Sequence, residues 1–569
     1  MSSLREPGRG PIVGHTTTTT CRIWIRADDP DDEGADLDEN RRTIGVIAVI
    51  EEDGKPIPEP NREVHYFRLH REFDRTGTFN LGVDSSIGTA KASAKLKPGK
   101  KYVVRVGTLT IDDPFPNDES VSDETLARRL PRPNEADWFT DLLKLKAETS
   151  EARFQTFPEK TDDLSFILGS CRYPGILWRV KKADEIFGPL WLEAQGRGPA
   201  IAGGPAARGP ARFVLMVGDQ IYADMLNRGV PLARADTFAE FQERYLTAFG
   251  SRNMRALLRQ IPNYMILDDH EIEDNWTQDR ISDVASREVF NLAISAYLSY
   301  QWSHGPRIYG RRLFYQFDCG GYPFFVLDTR TQRFVDDLIG SLDDNHLLGR
   351  PSLDPLEPSQ LDLLLHWLDD CQKKRGNIPK FIVSSSVFAP NPMSAREGRN
   401  GTAEQIVECK QDSDSWPAFP NTRKAILQCI IRSKVQNVIF LSGDIHCSNV
   451  AEMSLSGADG LDDIKTFAIT SSAFYWPFPF ADGDPSGYVH DSKLAGQEDT
   501  FDIDGSAKMD YRAWNFTQED NYCRIDVKRE NRTVTVLPFD KYGELIEQGS
   551  WIPGVKSNPL IAKLQMAPW

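Results

Sequence analysis

The chain contains no run of eighteen apolar residues, no C-x-x-C pair, no G-x-S-x-G and no surplus of basic side chains. Each absence removes a class of function. Without a long apolar run, no membrane-spanning helix is expected. The cysteines, at positions 21, 171, 319, 371, 409, 429, 447 and 523, are scattered, which indicates neither a zinc ribbon nor a disulfide framework and makes reduced thiols the expectation. The missing G-x-S-x-G removes the signature of a serine nucleophile. A formal net charge of −16 argues against general affinity for nucleic acid or anionic lipid. The first residues, Met-Ser-Ser-Leu-Arg-Glu-Pro-Gly, carry no apolar h-region and no twin arginine, so an intracellular location is expected.

At 569 residues the chain exceeds one typical core, and its texture changes near Pro158. Before that point, Thr16 to Arg26, Thr43 to Ile50, Tyr66 to Leu69 and Tyr102 to Leu109 read as strands, spaced as in a β-sandwich. Thr16 to Arg26 is expected as an edge strand. The acidic run from Asp28 to Asn40 reads as a solvated hairpin insertion. Beyond Pro158, strand runs alternate with helical patterns, the βαβ signature. Leu361, Leu364, Leu365 and Leu368 mark the apolar face of a helix after Pro358, and His366 on it is expected to be structural. Residues 196–212 read as a Gly/Pro/Ala loop.

Five apolar runs each end in groups that bind metals: Phe166-Ile-Leu-Gly-Ser-Cys171; Phe213-Val-Leu-Met-Val-Gly-Asp219, followed by Tyr222; Tyr264-Met-Ile-Leu-Asp-Asp-His270; Phe324-Phe-Val-Leu-Asp328; and Val438-Ile-Phe-Leu-Ser-Gly-Asp-Ile-His446. They read as buried strands of a parallel sheet, and such sheets bind ligands beyond the carboxyl ends of their strands. The recurring polar ends therefore describe one site. A thiolate, a phenolate and an imidazole from Cys171, Tyr222 and His446, joined by a carboxylate, suit a transition metal and favour a high charge such as ferric iron. Asp219, Asp269 and Asp444 offer oxygen only, which suits calcium, magnesium or manganese. If Asp219 bridges both ions, the site becomes a two-metal clamp for displacement at phosphorus by a metal-activated water. His270 then either protonates the leaving alkoxide or holds a phosphate oxygen. Arg172 and Arg330 are candidate phosphate clamps. Asp268 and Asn275 carry no assigned role, and Asp328 either bridges to Arg330 or orients a site histidine.

Gly169-Ser-Cys-Arg172, Gly218-Asp-Gln-Ile-Tyr222, Leu267-Asp-Asp-His-Glu271 with Asn275-Trp276, Leu327-Asp-Thr-Arg330 and Ser442-Gly-Asp-Ile-His446 resemble, in order, the motif series of the alkaline phosphatase D (PhoD-like) family of calcineurin-like and purple-acid-phosphatase-like metallophosphoesterases. The resemblance covers roughly residues 10–545. It implies an α/β catalytic domain over 161–545, built as a layered β-sandwich flanked by helices. It also implies an N-terminal all-β, immunoglobulin- or fibronectin-like sandwich over 1–160, leaving 546–569 as a tail or lid. It makes Cys171, Asp219, Tyr222 and His446 the ligands of Fe3+, and Asp219, Asp269 and Asp444 those of Ca2+, with Mn2+, Zn2+ or Mg2+ as substitutes. His270 falls on the proton-donating histidine; Asp219, as the bridging ligand, and Arg172, as the candidate phosphate clamp, join it as expected catalytic residues. The implied activity is that of a phosphodiesterase or alkaline phosphatase acting on a small-molecule phosphate ester. The alternative is a non-catalytic binding or scaffolding protein on the same fold. Such a protein is expected to have lost a ligand, and none is missing here. Oligomeric state is not indicated by any of these residues.

Overall fold

The computed structural model describes residues 4–28, 41–116, 118–131, 137–174, 180–201, 208–225, 234–310, 312–336, 340–392, 395, 401–411, 414–457, 460–478, 488–548 and 558–569. Residues 29–40 of the acidic run, 202–207 of the Gly/Pro/Ala stretch and 549–557 of the expected tail lie outside the described residues. No described helix is long and apolar enough to cross a membrane.

The five motif strands form, but they belong to two sheets rather than one. Asp163–Gly169, Val214–Val217 and Asn263–Ile266 run parallel at one side of a six-stranded sheet. Tyr322–Val326 and Val438–Ser442 flank Lys380–Val383, all parallel, in an eight-stranded sheet. Each sheet is completed by antiparallel strands. Apolar side chains from both sheets, among them Phe166, Leu215 and Ile266 from the first and Phe324, Phe381 and Ile439 from the second, share one core. These strands read as unbroken apolar runs because both faces are covered: the helices Phe238–Gly250 and Val284–Tyr300 pack outside the six-stranded sheet, and Gln360–Arg375 and Pro420–Arg432 outside the eight-stranded one. The Gln360 helix starts at Ser359, which forms a capping box with Asp362. It buries Leu361, Leu364 and Leu368 as its spacing predicts, and Leu365 of the same face is half-buried. His366, expected as structural, is exposed.

Toward the N-terminus, a three-stranded sheet (Arg9–Thr16, Cys21–Arg26, Thr76–Leu81) faces a five-stranded one that contains Arg41–Glu52 and Lys101–Asp112. The threonine run does not continue into an edge strand. Thr17 Oγ1 accepts hydrogen bonds from the amides of Thr19 and Thr20, turning the chain, so that Cys21–Arg26 pairs on both sides. Within the expected C-terminal tail or lid, Ala562–Gln565 adds an antiparallel strand beside Thr533–Asp540. Leu564 alternates inward there and satisfies the sheet core.

Phe381, fully buried, stacks on Phe324 with ring centroids 4.5 Å apart and meets Phe166 of the opposite sheet edge-on. Phe381→Ala is expected to cost about 3–5 kcal/mol, read as a lowered midpoint of chemical unfolding; an unchanged midpoint would show that this inter-sheet contact carries little of the stability.

Candidate metal centre

Parallel pairing within each sheet brings the carboxyl ends of the motif strands to one place. Cys171 Sγ lies 3.4 Å from Asp219 Oδ2, Tyr222 Oη lies 3.3 Å from the same oxygen, and Tyr222 Oη is 3.2 Å from His446 Nε2. Three groups of donor atoms, each within 4.8 Å of one another, occur here: Cys171, Asp219 and His446; Asp219, Asp269 and His270; and Asp219, Asp268, Asp269 and Asp444. Asp219 belongs to all three. The expected iron set and the expected calcium set are thus adjacent and share the aspartate expected to bridge them, and Asp268 joins the second.

The backbone is bent to achieve this. Cys171, Asp219, Asp444 and His446 all have positive φ, between 50° and 72°, a region that costs a non-glycine residue about 1–3 kcal/mol. Gly218 and Gly443, each just before an aspartate of the cluster, are required by close approach. A Cβ on Gly218 would come within 2.4 Å of the Asp268 side chain, and one on Gly443 within 2.3 Å of Ser170 Oγ. Glu271 holds the loops together from beneath. Its buried carboxylate accepts the amides of Asp219, Gln220 and Asp268 at 3.1, 2.7 and 2.9 Å, and the Gln301 amide at 3.0 Å.

The electrostatics call for a cation. Asp219 Oδ1, Asp268 Oδ2 and Asp269 Oδ1 are buried with no hydrogen-bond partner. Burial, reinforced by neighbouring anions, raises the Asp219 and Asp444 carboxyls well above the usual range. Burial likewise pushes the Cys171 thiol up to about 12 and the Tyr222 phenol well above its ordinary value. Asp269 is the exception, since Arg330 and His270 outweigh burial and hold it low. Among the described residues, the guanidinium set directly into this cluster is that of Arg330, fully buried, donating to Asp268 and lying 3.5 Å from Asp269 and 3.8 Å from Asp444. One such charge does not balance Asp219, Asp268, Asp269 and Asp444 together. The mixed S, N and O donors on one side and oxygen donors on the other therefore fit a transition metal beside a hard ion.

His270 stands next to these donors. Its Nδ1 is 2.9 Å from Asp224 Oδ1, and its ring lies against Tyr222, with centroids 4.2 Å apart. Burial alone would lower its pKa, but Asp224 and Asp269 raise it well above the ordinary histidine value. Asp224 had no assigned role in the sequence, although it lies two residues beyond Tyr222 in the same loop. Glu271 was visible only as part of a motif.

Arg172 is not brought to the cluster. Its guanidinium donates to Ser251 Oγ at 3.0 Å and lies over the Phe187 ring, because the turn that presents Cys171 carries the next side chain among the helices. The structure therefore corrects the expectation that Arg172 clamps phosphate. Asp328 accepts the amides of Arg330 and Thr331 and the Thr331 hydroxyl, so it shapes a turn and orients neither site histidine. The Asn275 amide donates to Asp269 Oδ2 at 2.7 Å. After the last strand of the parallel set comes the aromatic stretch Phe474-Tyr-Trp-Pro-Phe-Pro-Phe480, of which Phe474 is buried against Phe187. Trp476 stacks on His446 at 3.6 Å and Phe478 meets Trp476, while Phe480 lies outside the described residues.

The family model for PhoD-like phosphatases matches residues 198–536. Alkaline phosphatase D of Bacillus subtilis (strain 168) is 26% identical over 220 residues, which is 37% of this chain and 36% of that protein, so the match spans about a third of the relative's length. The solved structure of PhoD superposes with a TM-score of 0.58 at 14% identity, covering 98% of this chain and 89% of the other. That likeness concerns the fold.

Burial raises Glu271 to about 7 and Asp268 to about 6. Their folded pKa values exceed the unfolded ones, so the folded state binds the extra protons and cation-free protein should lose stability as pH rises between about 4.5 and about 7. Calcium should flatten that slope by compensating the charge. Thermal unfolding across this range with chelator and with calcium tests it, and identical slopes would count against a cation in the cluster.

Proposed function

We propose that this chain, which belongs to the PhoD-like phosphatase family, is a phosphoric ester hydrolase whose centre holds two unlike cations. The observation that carries the reading is that Asp219 is common to every donor group of the cluster. On this reading Cys171, Asp219, Tyr222 and His446 hold iron, and Asp219, Asp269 and Asp444 hold calcium. Bound there, the two ions would supply an activated water and neutralise negative charge on the phosphoryl oxygens.

The chain's own residues do the rest. Asp224 holds the Nδ1 proton of His270 and stabilises the imidazolium, which leaves Nε2 to deliver a proton to the leaving alkoxide. Glu271 fixes the spacing of the Asp219 and Asp268 loops. Trp476, stacked on His446, restricts water on that side and orients the imidazole. Residues 1–160 form the N-terminal sandwich domain, of immunoglobulin or fibronectin type, and 161–545 the metallophosphoesterase domain. The substrate is a small organic phosphate ester, monoester or diester.

Asp219→Asn should reduce hydrolysis of an aryl phosphate ester by roughly 10³-fold or more, the scale on which a preorganised charge-stabilising group acts, while the unfolding profile stays native-like; retained turnover would sink the bridging role. Elemental analysis of the purified protein should find about one iron with calcium. Asp224→Asn should lower kcat by about 10²-fold with metal content unchanged, and loss of metal in that variant would reassign Asp224 to the ligand scaffold.

A further inference from the structure

Arg330 and Arg333 close their guanidinium groups on one carboxylate, that of Asp414. Arg330 Nη1 and Nη2 donate to the two oxygens of Asp414 at 2.8 and 2.7 Å, and Arg333 Nη1 donates to Oδ1. This is the bidentate fork with which guanidinium grips carboxylate and phosphate alike. It opens on the donor cluster, since the same Nη2 of Arg330 lies 3.5 Å from Asp269 and 3.8 Å from Asp444.

Burial distinguishes the fixed members from the replaceable one. The side chains of Arg330 and Arg333 are 0% and 2% exposed, whereas that of Asp414 is 25% exposed. Each arginine is also held without Asp414: Arg330 Nε donates to Asp268, and Arg333 donates to the Thr329 carbonyl at 3.0 Å and to Ser386 Oγ. Two buried guanidiniums side by side repel, and an anion between them relieves the repulsion. Any anion with two oxygens at that spacing meets the requirement.

We propose that Arg330 and Arg333 form the phosphate-binding fork of this chain, and that Asp414 is a resident carboxylate occupying it until the phosphate of the substrate displaces it. The inference rests on the phosphate-ester reading of the centre. Asp414 would then be a specificity device, keeping the arginines paired in the free protein and setting the threshold that an entering anion must exceed.

The test uses the metal-loaded full chain with inorganic phosphate as the probe, measured by calorimetry and by the phosphate-induced shift in thermal unfolding. Asp414→Asn removes the competing charge, so phosphate should bind on the order of tenfold tighter, KM for a phosphate ester should fall, and phosphate should raise the unfolding temperature more than it does in the native chain. Arg333→Gln should weaken phosphate by a similar factor, which keeps the proposal testable if Asp414→Asn does not fold. Unchanged or weaker phosphate binding in Asp414→Asn would overturn the displacement role and leave Asp414 as a strut for the arginines, and unchanged binding in Arg333→Gln would overturn the fork. If the native chain hydrolyses esters while the variants behave in that way, only this inference fails; if it neither hydrolyses esters nor binds phosphate, the functional reading fails with it.

Discussion

Like charges gathered out of water are the constraint on which this structure depends. Asp219, Asp268, Asp269 and Asp444 converge at the carboxyl ends of strands from two sheets, and all four are buried or nearly so. Bringing carboxylates together in a low-dielectric pocket is unfavourable unless positive charge compensates them. Arg330 supplies part of that charge. The rest is what a bound cation provides, and it explains why buried carboxylate oxygens in the cluster lack hydrogen-bond partners.

The remainder of the fold can be understood as the means of holding that arrangement. The apolar core between the sheets fixes their separation, and the helices outside let the strands be apolar on both faces. Parallel pairing puts strand ends at a common level. Left-handed backbone at Cys171, Asp219, Asp444 and His446 gathers their donor atoms into one cluster, and such strain persists only where surrounding structure over-determines it. Glu271 provides much of that determination, since one carboxylate satisfies amides from two loops at once.

The partner that each side chain faces explains where it sits. His270 faces Asp224, whose carboxylate lies 2.9 Å from its Nδ1. Arg330 faces Asp268 and Asp414, so its charge is shared between the cluster and a partly exposed carboxylate. Arg172, adjacent in sequence to a cluster cysteine, faces Ser251 and Phe187 instead. Proximity along the chain was thus a good guide for Asp219 and Tyr222, three residues apart in one loop, and a poor one for Cys171 and Arg172, whose side chains diverge at a strand end.

What the sequence by itself determined is the strands and the chemistry at their ends. Unbroken apolar runs terminating in Asp, Cys, Tyr and His are local patterns, and burial on both faces leaves its mark on every residue of a strand. The same holds for the leucine face of the Gln360 helix. Only the tertiary structure decided which sheet each run joins, because a strand's neighbours leave no trace in its own composition. It alone decided that Ala562–Gln565 closes a sheet edge, that Arg172 turns away, and that Asp414, in the solvated-looking stretch Gln411-Asp-Ser-Asp-Ser-Trp416, reaches the arginines. Contacts between residues 84 and 81 positions apart depend on how long loops close, and that is settled by the packing of the whole core rather than by any segment of it.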